Sequence, residues 1–407
     1  MGEANIPPSD PRAVREGKEK IRKVEETTLY PRISLYELLT KWKSEDEPRK
    51  RSEGDSKNEA RRHFLDSFAY LCDVEKGGKT VTAAALRSLP NSDETNLLLA
   101  ANEGIRDEVL RYAKNILSQL KSMPEEDIVQ TLRKKLKILY DTQKPLPTEK
   151  YIDICFEMRR EELQGIRGRS TEPNDDFCNL SHYIWRIGAT REKANMVVKA
   201  MDEDRSLRHI SSEIETIKAP VVKEMVLDSR YMNPHEILHD IYNDSKYKEA
   251  SQAEKAFLRL YQLDPAGERP IYTEMVSAKR SRVVTRVHAE LQVADVFSRR
   301  QHYKFVADDK YIGCSKPACY FCYEWFSTHK HGYVRPATHG KIILGCRGPD
   351  HELNETGAEV ILNMYKGISR QIGQHIFEFL CQKLPERSGQ YMSTEAETRA
   401  TSHVSLG

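Results

Sequence analysis

Two neighbouring stretches decide the fold: Val287-His288-Ala289-Glu290-Leu291-Gln292, and Ile312-Gly313-Cys314-Ser315-Lys316-Pro317-Ala318-Cys319-Tyr320-Phe321-Cys322. Cysteines three apart share one face of a helix, so Cys319 and Cys322 can grip one metal ion. At a helix N-terminus the positive end of the dipole favours the thiolate form that zinc binds. His288 supplies a neutral imidazole as a third donor, which leaves the fourth position of a tetrahedral zinc for water. Glu290 is not needed as a ligand and stands two residues beyond one, where a carboxylate can move protons between water and a substrate.

Simpler accounts use the same residues. A Cys-x-x-Cys pair often belongs to a structural zinc module, and Cys314 and Cys346 could complete an all-cysteine site that leaves His288 an ordinary residue. The conjunction favours catalysis. An extended run enters a helix bearing His-x-Glu, then a short strand enters a helix bearing Cys-x-x-Cys, and strand alternating with helix is the grammar of an α/β layer fold.

These motifs resemble the cytidine-deaminase-like superfamily, and more closely its clade of predicted nucleic-acid and nucleotide deaminases expanded in fungi. FLDSFAYLCDVEKGGKTVTAAAL (64–86) and ATHGKIILGCRGP (337–349) are similar to stretches of that clade. The resemblance implies a three-layer α/β/α domain, Zn2+ on His288, Cys319 and Cys322, and Glu290 as proton shuttle. The implied reaction is hydrolytic deamination of a nucleobase, in a nucleotide or single-stranded nucleic acid, by a zinc-activated water. The chain departs from the superfamily at Ala318, which stands where proline usually precedes the first cysteine. Thr338 and His339, just before the IILGC run, are candidates to line the substrate pocket.

The expected fold class is therefore α/β: a helical N-terminal domain, then the deaminase-like domain ending in a long C-terminal helix. Residues 1–58, charged and broken by prolines, read as a mobile arm carrying one short helix (30–42). Residues 59–250 read as α-helical. RRHFLDSFAYLCD spaces its apolar residues by three and four, and TVTAAALRSL reads as a further helix with Thr80 as N-cap. GIRDEVLRYAKNILSQLKSM, EEDIVQTLRKKLKILYDTQ, YIDICFEMRREELQGI and LSHYIWRIGATREKANMVVKAMDED continue that pattern. Residues 251–385 form the zinc domain with its C-terminal helix, and 386–407 a disordered tail. A protein partner is the bland expectation for the helical half.

A second zinc motif competes. His235-Glu236-Ile237-Leu238-His239 spells the His-Glu-x-x-His pattern of zinc peptidases. Pro234 would place it in a first helical turn, and Ser245 stands where some families carry a third histidine. Tyr320, Phe321, Tyr323, Trp325 and Phe326 could stack on a base, but aromatics on a helix against a sheet more often form core. Lys279-Arg280-Ser281-Arg282 could meet phosphates or simply face solvent.

Composition bounds the rest. The 407 residues carry 64 Lys and Arg against 62 Asp and Glu, a formal charge of +2 that specifies no partner. Basic residues outnumber acidic ones from Arg269 to Arg347, which would suit an anionic substrate. No apolar run approaches the roughly 20 residues of a membrane span, and MGEANIPPSDPR lacks an apolar signal core. Four of eight cysteines cluster between Cys314 and Cys346, so metal chemistry in a reducing compartment, cytoplasmic or nuclear, is expected rather than a disulfide framework.

Overall fold

The computed structural model describes residues 10–40, 50–51, 56–122, 176–244 and 250–382, apart from residues 76, 91, 93, 301 and 352. The helices expected within 125–166 and the tail at 386–407 lie outside the described residues.

The chain is mixed α/β. It opens with α1 (Pro11–Val24), a π-helical turn (Glu25–Leu29), α2 (Tyr30–Thr40) and α3 (Ser56–Cys72). A hairpin follows, β1 (Thr82–Ser88) and β2 (Thr95–Ala101), then α4 (Asp107–Ser122), α5 (Asp176–Glu203), β3 (Ile210–Thr216) and β4 (Lys223–Val226). Next come α6 (Pro234–Asp244), α7 (Ala250–Leu263), α8 (Pro270–Met275), α9 (Ala278–Ser281), β5 (Arg282–Val287) and α10 (Ala289–Arg299). The chain closes with β6 (Gly313–Cys314), α11 (Tyr320–Thr328), β7 (Cys346–Arg347) and the long α12 (Glu355–Cys381).

Four strands pair in the order β3-β2-β1-β6 and three in the order β4-β5-β7. In the hairpin, alternate residues serve two cores. Ala84, Leu86, Leu97 and Leu99 face Phe64 and Phe68 of α3 and Val197 and Met201 of α5. Ala83, Ala85, Leu98 and Ala100 face the core that holds α10, α11 and α12. Helices thus cover both faces of this sheet, a layered arrangement whose strands come mostly from the stretch read as helical and not from residues 251–385 alone.

The hairpin corrects the helical reading of TVTAAALRSL. A strand buried on both faces loses the apolar–polar alternation that marks a strand and reads as a continuous apolar run, here rich in alanine. β3 and β4 also lie within the stretch read as helical. β6 pairs with β1 at Ala83↔Cys314 and Ala84↔Gly313, so one sheet spans the expected boundary at 250/251. The approach is close: a Cβ on Gly313 would sit 2.6 Å from the backbone of Leu65 in α3.

Within residues 1–58, read as a mobile arm with one short helix at 30–42, residues 10–40 correct that reading. Residues 11–40 are helical, and Leu29, Tyr30, Ile33, Leu35 and Leu39 are buried in the main core. α1 and α2 lie along α12, where Gly17 abuts Ala358. The apolar stripe that α1 and α2 bury becomes useful only against a helix more than 300 residues later, so local polarity concealed it.

Of the run HGKIILGCR, only Cys346 and Arg347 form strand. Gly340 has φ of +67°, and Gly345 packs its backbone onto Val284, so the segment before Cys346 turns instead of extending.

Candidate metal centre

Three side chains reach the centre from helix starts. β5 ends at Val287, and His288 is the N-cap of α10. Asn102, just past β2, accepts the Ala289 N–H at 2.7 Å, while Gln292 Nε2 donates to the carbonyls of Ala101 (3.1 Å) and Val287 (2.9 Å). These bonds fix the histidine turn against the end of the central sheet. Cys319 is the N-cap of α11 and Cys322 lies in its first turn. The expected sharing of one helix face is observed: Cys319 and Cys322 Sγ are 3.5 Å apart, and His288 Nδ1 lies 3.6 Å and 3.4 Å from them.

A fourth donor joins them. β7 runs parallel to β5 with Arg286 opposite Cys346 and Val287 opposite Arg347, and this register brings Cys346 beside His288. Cys322 and Cys346 Sγ are 3.6 Å apart, and the ligand atoms of His288, Cys319, Cys322 and Cys346 all lie within 4.8 Å of one another. The three cysteines are buried and free of disulfides. A zinc tetrahedron with Zn–S near 2.3 Å and Zn–N near 2.0–2.1 Å has edges of roughly 3.6–3.8 Å, close to the 3.4–3.6 Å that separate Cys319, Cys322 and His288 from one another and Cys322 from Cys346.

The electrostatics point the same way. Burial would lower the His288 pKa, but the charges of Cys346 and Cys319 outweigh it and hold the imidazole well above its usual range. Burial would likewise raise Cys319, but contacts with Cys322, Cys346 and His288 bring its thiol well below its usual value. Burial pushes Cys346 up to about 12. Cys322 is likewise held well above its usual value by burial, so without a cation the charge of the cluster rests on Cys319 and His288, and a metal ion would displace the protons of the other two thiols.

Glu290 is buried in the first turn of α10, with His288, Cys319 and Cys322 in its electrostatic surroundings. Burial raises its pKa, His288 opposes the rise and Cys319 adds to it. Its neighbourhood is the ligand cluster itself.

Other candidates are distributed elsewhere. The Thr338 hydroxyl donates to the Ala318 carbonyl at 2.7 Å and accepts from Gly340 N–H at 3.0 Å, so it pins the loop ahead of Cys319. The His339 N–H reaches the same carbonyl (3.2 Å), and its Nδ1 accepts from Lys341 N–H at 3.0 Å. Ala318 itself donates its N–H to Ala337 O at 2.8 Å, a bond that proline at this position could not make. Cys314 stands outside the four-donor cluster, its thiol directed at Ile312 O.

The peptidase alternative is not supported. His235 packs against Asp264, its Nε2 being 3.4 Å from the Asp264 carbonyl, and His239 Nδ1 pairs with Asn243 at 3.0 Å. Among the described residues only His288, Cys319, Cys322 and Cys346 form a group of this kind. Phe321 and Trp325 stack on each other within the core and meet Tyr365 edge-on, and Tyr320 bonds His375, as core packing predicts. Arg280 is engaged with Glu37 and Glu274. Among the described residues no helix is long and apolar enough to cross a membrane.

By spacing alone, Cys346 is a candidate only for an all-cysteine site. Its partnership with His288 depends on strand register, which spacing does not encode.

Residues 287–350 match the family model described as OTT_1508-like deaminase, a span that holds all four donors and Glu290. No curated protein and no solved structure matches the chain. By this match, residues 287–350 are similar to a deaminase family, which supports the resemblance to the cytidine-deaminase-like superfamily.

Proposed function

We propose that the protein is a zinc-dependent hydrolytic deaminase acting on a nucleobase, presented in a nucleotide or a single-stranded nucleic acid. The observation that carries this reading is Glu290, a buried carboxyl set against the ligand cluster that no ligand role requires. His288, Cys319 and Cys322 would hold the ion. When bound, zinc supplies the Lewis acidity that makes water a nucleophile near neutral pH. Glu290 accepts one proton as the water adds to the ring carbon and passes it to the ring nitrogen, then takes the second proton from the new hydroxyl and passes it to the departing amine. The exocyclic C–N bond breaks, a C=O bond replaces it and ammonia leaves. Burial of Glu290 suits this work, since a carboxyl with a raised pKa can both take and return a proton.

A second reading is favoured by one observation. Four protein donors are the inventory of a closed structural zinc site, so the fold could serve a zinc-stabilised interaction protein without turnover. The two readings part at Glu290. Zinc-loaded wild type and Glu290→Ala are to be compared on free nucleosides, nucleotides, single-stranded DNA and RNA, following ammonia and product mass. The enzyme reading expects one substrate class to release ammonia, with a loss of about 10²–10⁴-fold in the variant at unchanged zinc content. Absence of release across the whole panel would sink it.

A further inference from the structure

We infer that Cys346 is a fourth protein ligand, so that the resting metal centre is a closed three-cysteine, one-histidine shell. This deepens the proposed function and rests on its assignment of His288, Cys319 and Cys322 to the ion. The superfamily pattern read in the sequence needs one histidine and two cysteines, with water completing the tetrahedron. Here a third thiol fills that corner. Cys346 Sγ is 3.6 Å from Cys322 Sγ, an edge like the 3.4–3.6 Å edges among the other three donors and far longer than a disulfide bond.

The fourth thiol is held in place by the fold. Arg286 N–H donates to Gly345 O at 2.8 Å, and Cys346 N–H donates to Ile343 O at 3.0 Å. Tyr30 Oη donates to Cys346 O at 2.9 Å, and Gly348 N–H donates to Tyr365 Oη at 3.0 Å. Arg347, fully buried, anchors the next residue on Val221 O at 2.7 Å and on Asp350. Bonds from β5, α2 and α12 therefore converge on this short strand, and a thiol placed this deliberately beside three others is a ligand position. The mounting differs from the other donors: His288, Cys319 and Cys322 ride on helix starts, whereas Cys346 rides on a strand of two residues. With all four donors on the metal, no corner is free for water until the Cys346 thiolate leaves it.

Zinc-edge X-ray absorption on the full-length, zinc-loaded protein tests this directly. Wild type is expected to show three sulfurs at about 2.3 Å and one nitrogen. Cys346→Ala is expected to show two sulfurs with two lighter donors. A two-sulfur shell in the wild type would overturn the inference while leaving the deaminase assignment standing. A wild type that holds no stoichiometric zinc would overturn both. The wild-type sulfur count decides the matter even if the variant does not fold, and a folded variant with an unchanged sulfur count would also refute it.

Discussion

The hydroxyl of Tyr30 donates a hydrogen bond to the carbonyl oxygen of Cys346 at 2.9 Å, joining residues 316 positions apart. Tyr30 is completely buried, and burial keeps its phenol protonated as a donor. The N-terminal helices thus reach the fourth donor of the metal cluster through one bond. Tyr30→Phe keeps the ring packing and removes only that bond. It should cost about 1–2 kcal/mol, because a buried carbonyl loses a partner. Thermal unfolding of the zinc-loaded protein checks this, and zinc retention under a chelator should fall with it. A variant as stable and as zinc-retentive as wild type would refute the link.

Glu25 sits in the π-helical turn with Asp350, Lys223, Tyr365 and Arg347 around it. Burial and the charge of Asp350 raise its pKa from 4.5 to about 7. The folded protein therefore holds a proton that the unfolded chain releases. The associated stability is fully present below pH 4.5 and is lost as pH rises through 7, a change on the order of 3 kcal/mol. Glu25→Gln should flatten that dependence. Unfolding free energies from pH 4.5 to 8 would show wild type losing stability relative to the variant, and parallel curves would count against the assignment.

Gly313 lets β6 cross directly over α3. A methyl group there would meet Leu65 and Asp66 backbone atoms at 2.6–2.7 Å, and neither helix backbone nor paired strand can yield cheaply. Gly313→Ala should destabilise the protein by about 1–3 kcal/mol. Chemical denaturation measures the loss, and a neutral result would show that α3 and the β1–β6 ladder are not packed this way.

His235 and His239 are engaged with Asp264 and Asn243. The double change His235→Ala, His239→Ala should leave zinc stoichiometry at the wild-type value. Metal analysis of both proteins is sufficient, and loss of zinc in the double variant would reopen the peptidase reading.

Much of the local chemistry was legible in the sequence because it depends on short spacings. Cys319 and Cys322 share a helix face by helical geometry, and His288 and Glu290 flank the same helix start. The polarity pattern also announced the long C-terminal helix. The central hairpin was hidden, since strands covered on both faces read as unbroken apolar runs. The packing of α1 and α2 was hidden as well, because their partner surface lies at the other end of the chain. The sequence alone thus determined which residues could bind a metal and move a proton. Only the tertiary structure decided that Cys346 stands with them, because the parallel register of two distant strands aligns it with Arg286, beside His288, and no local spacing carries that information.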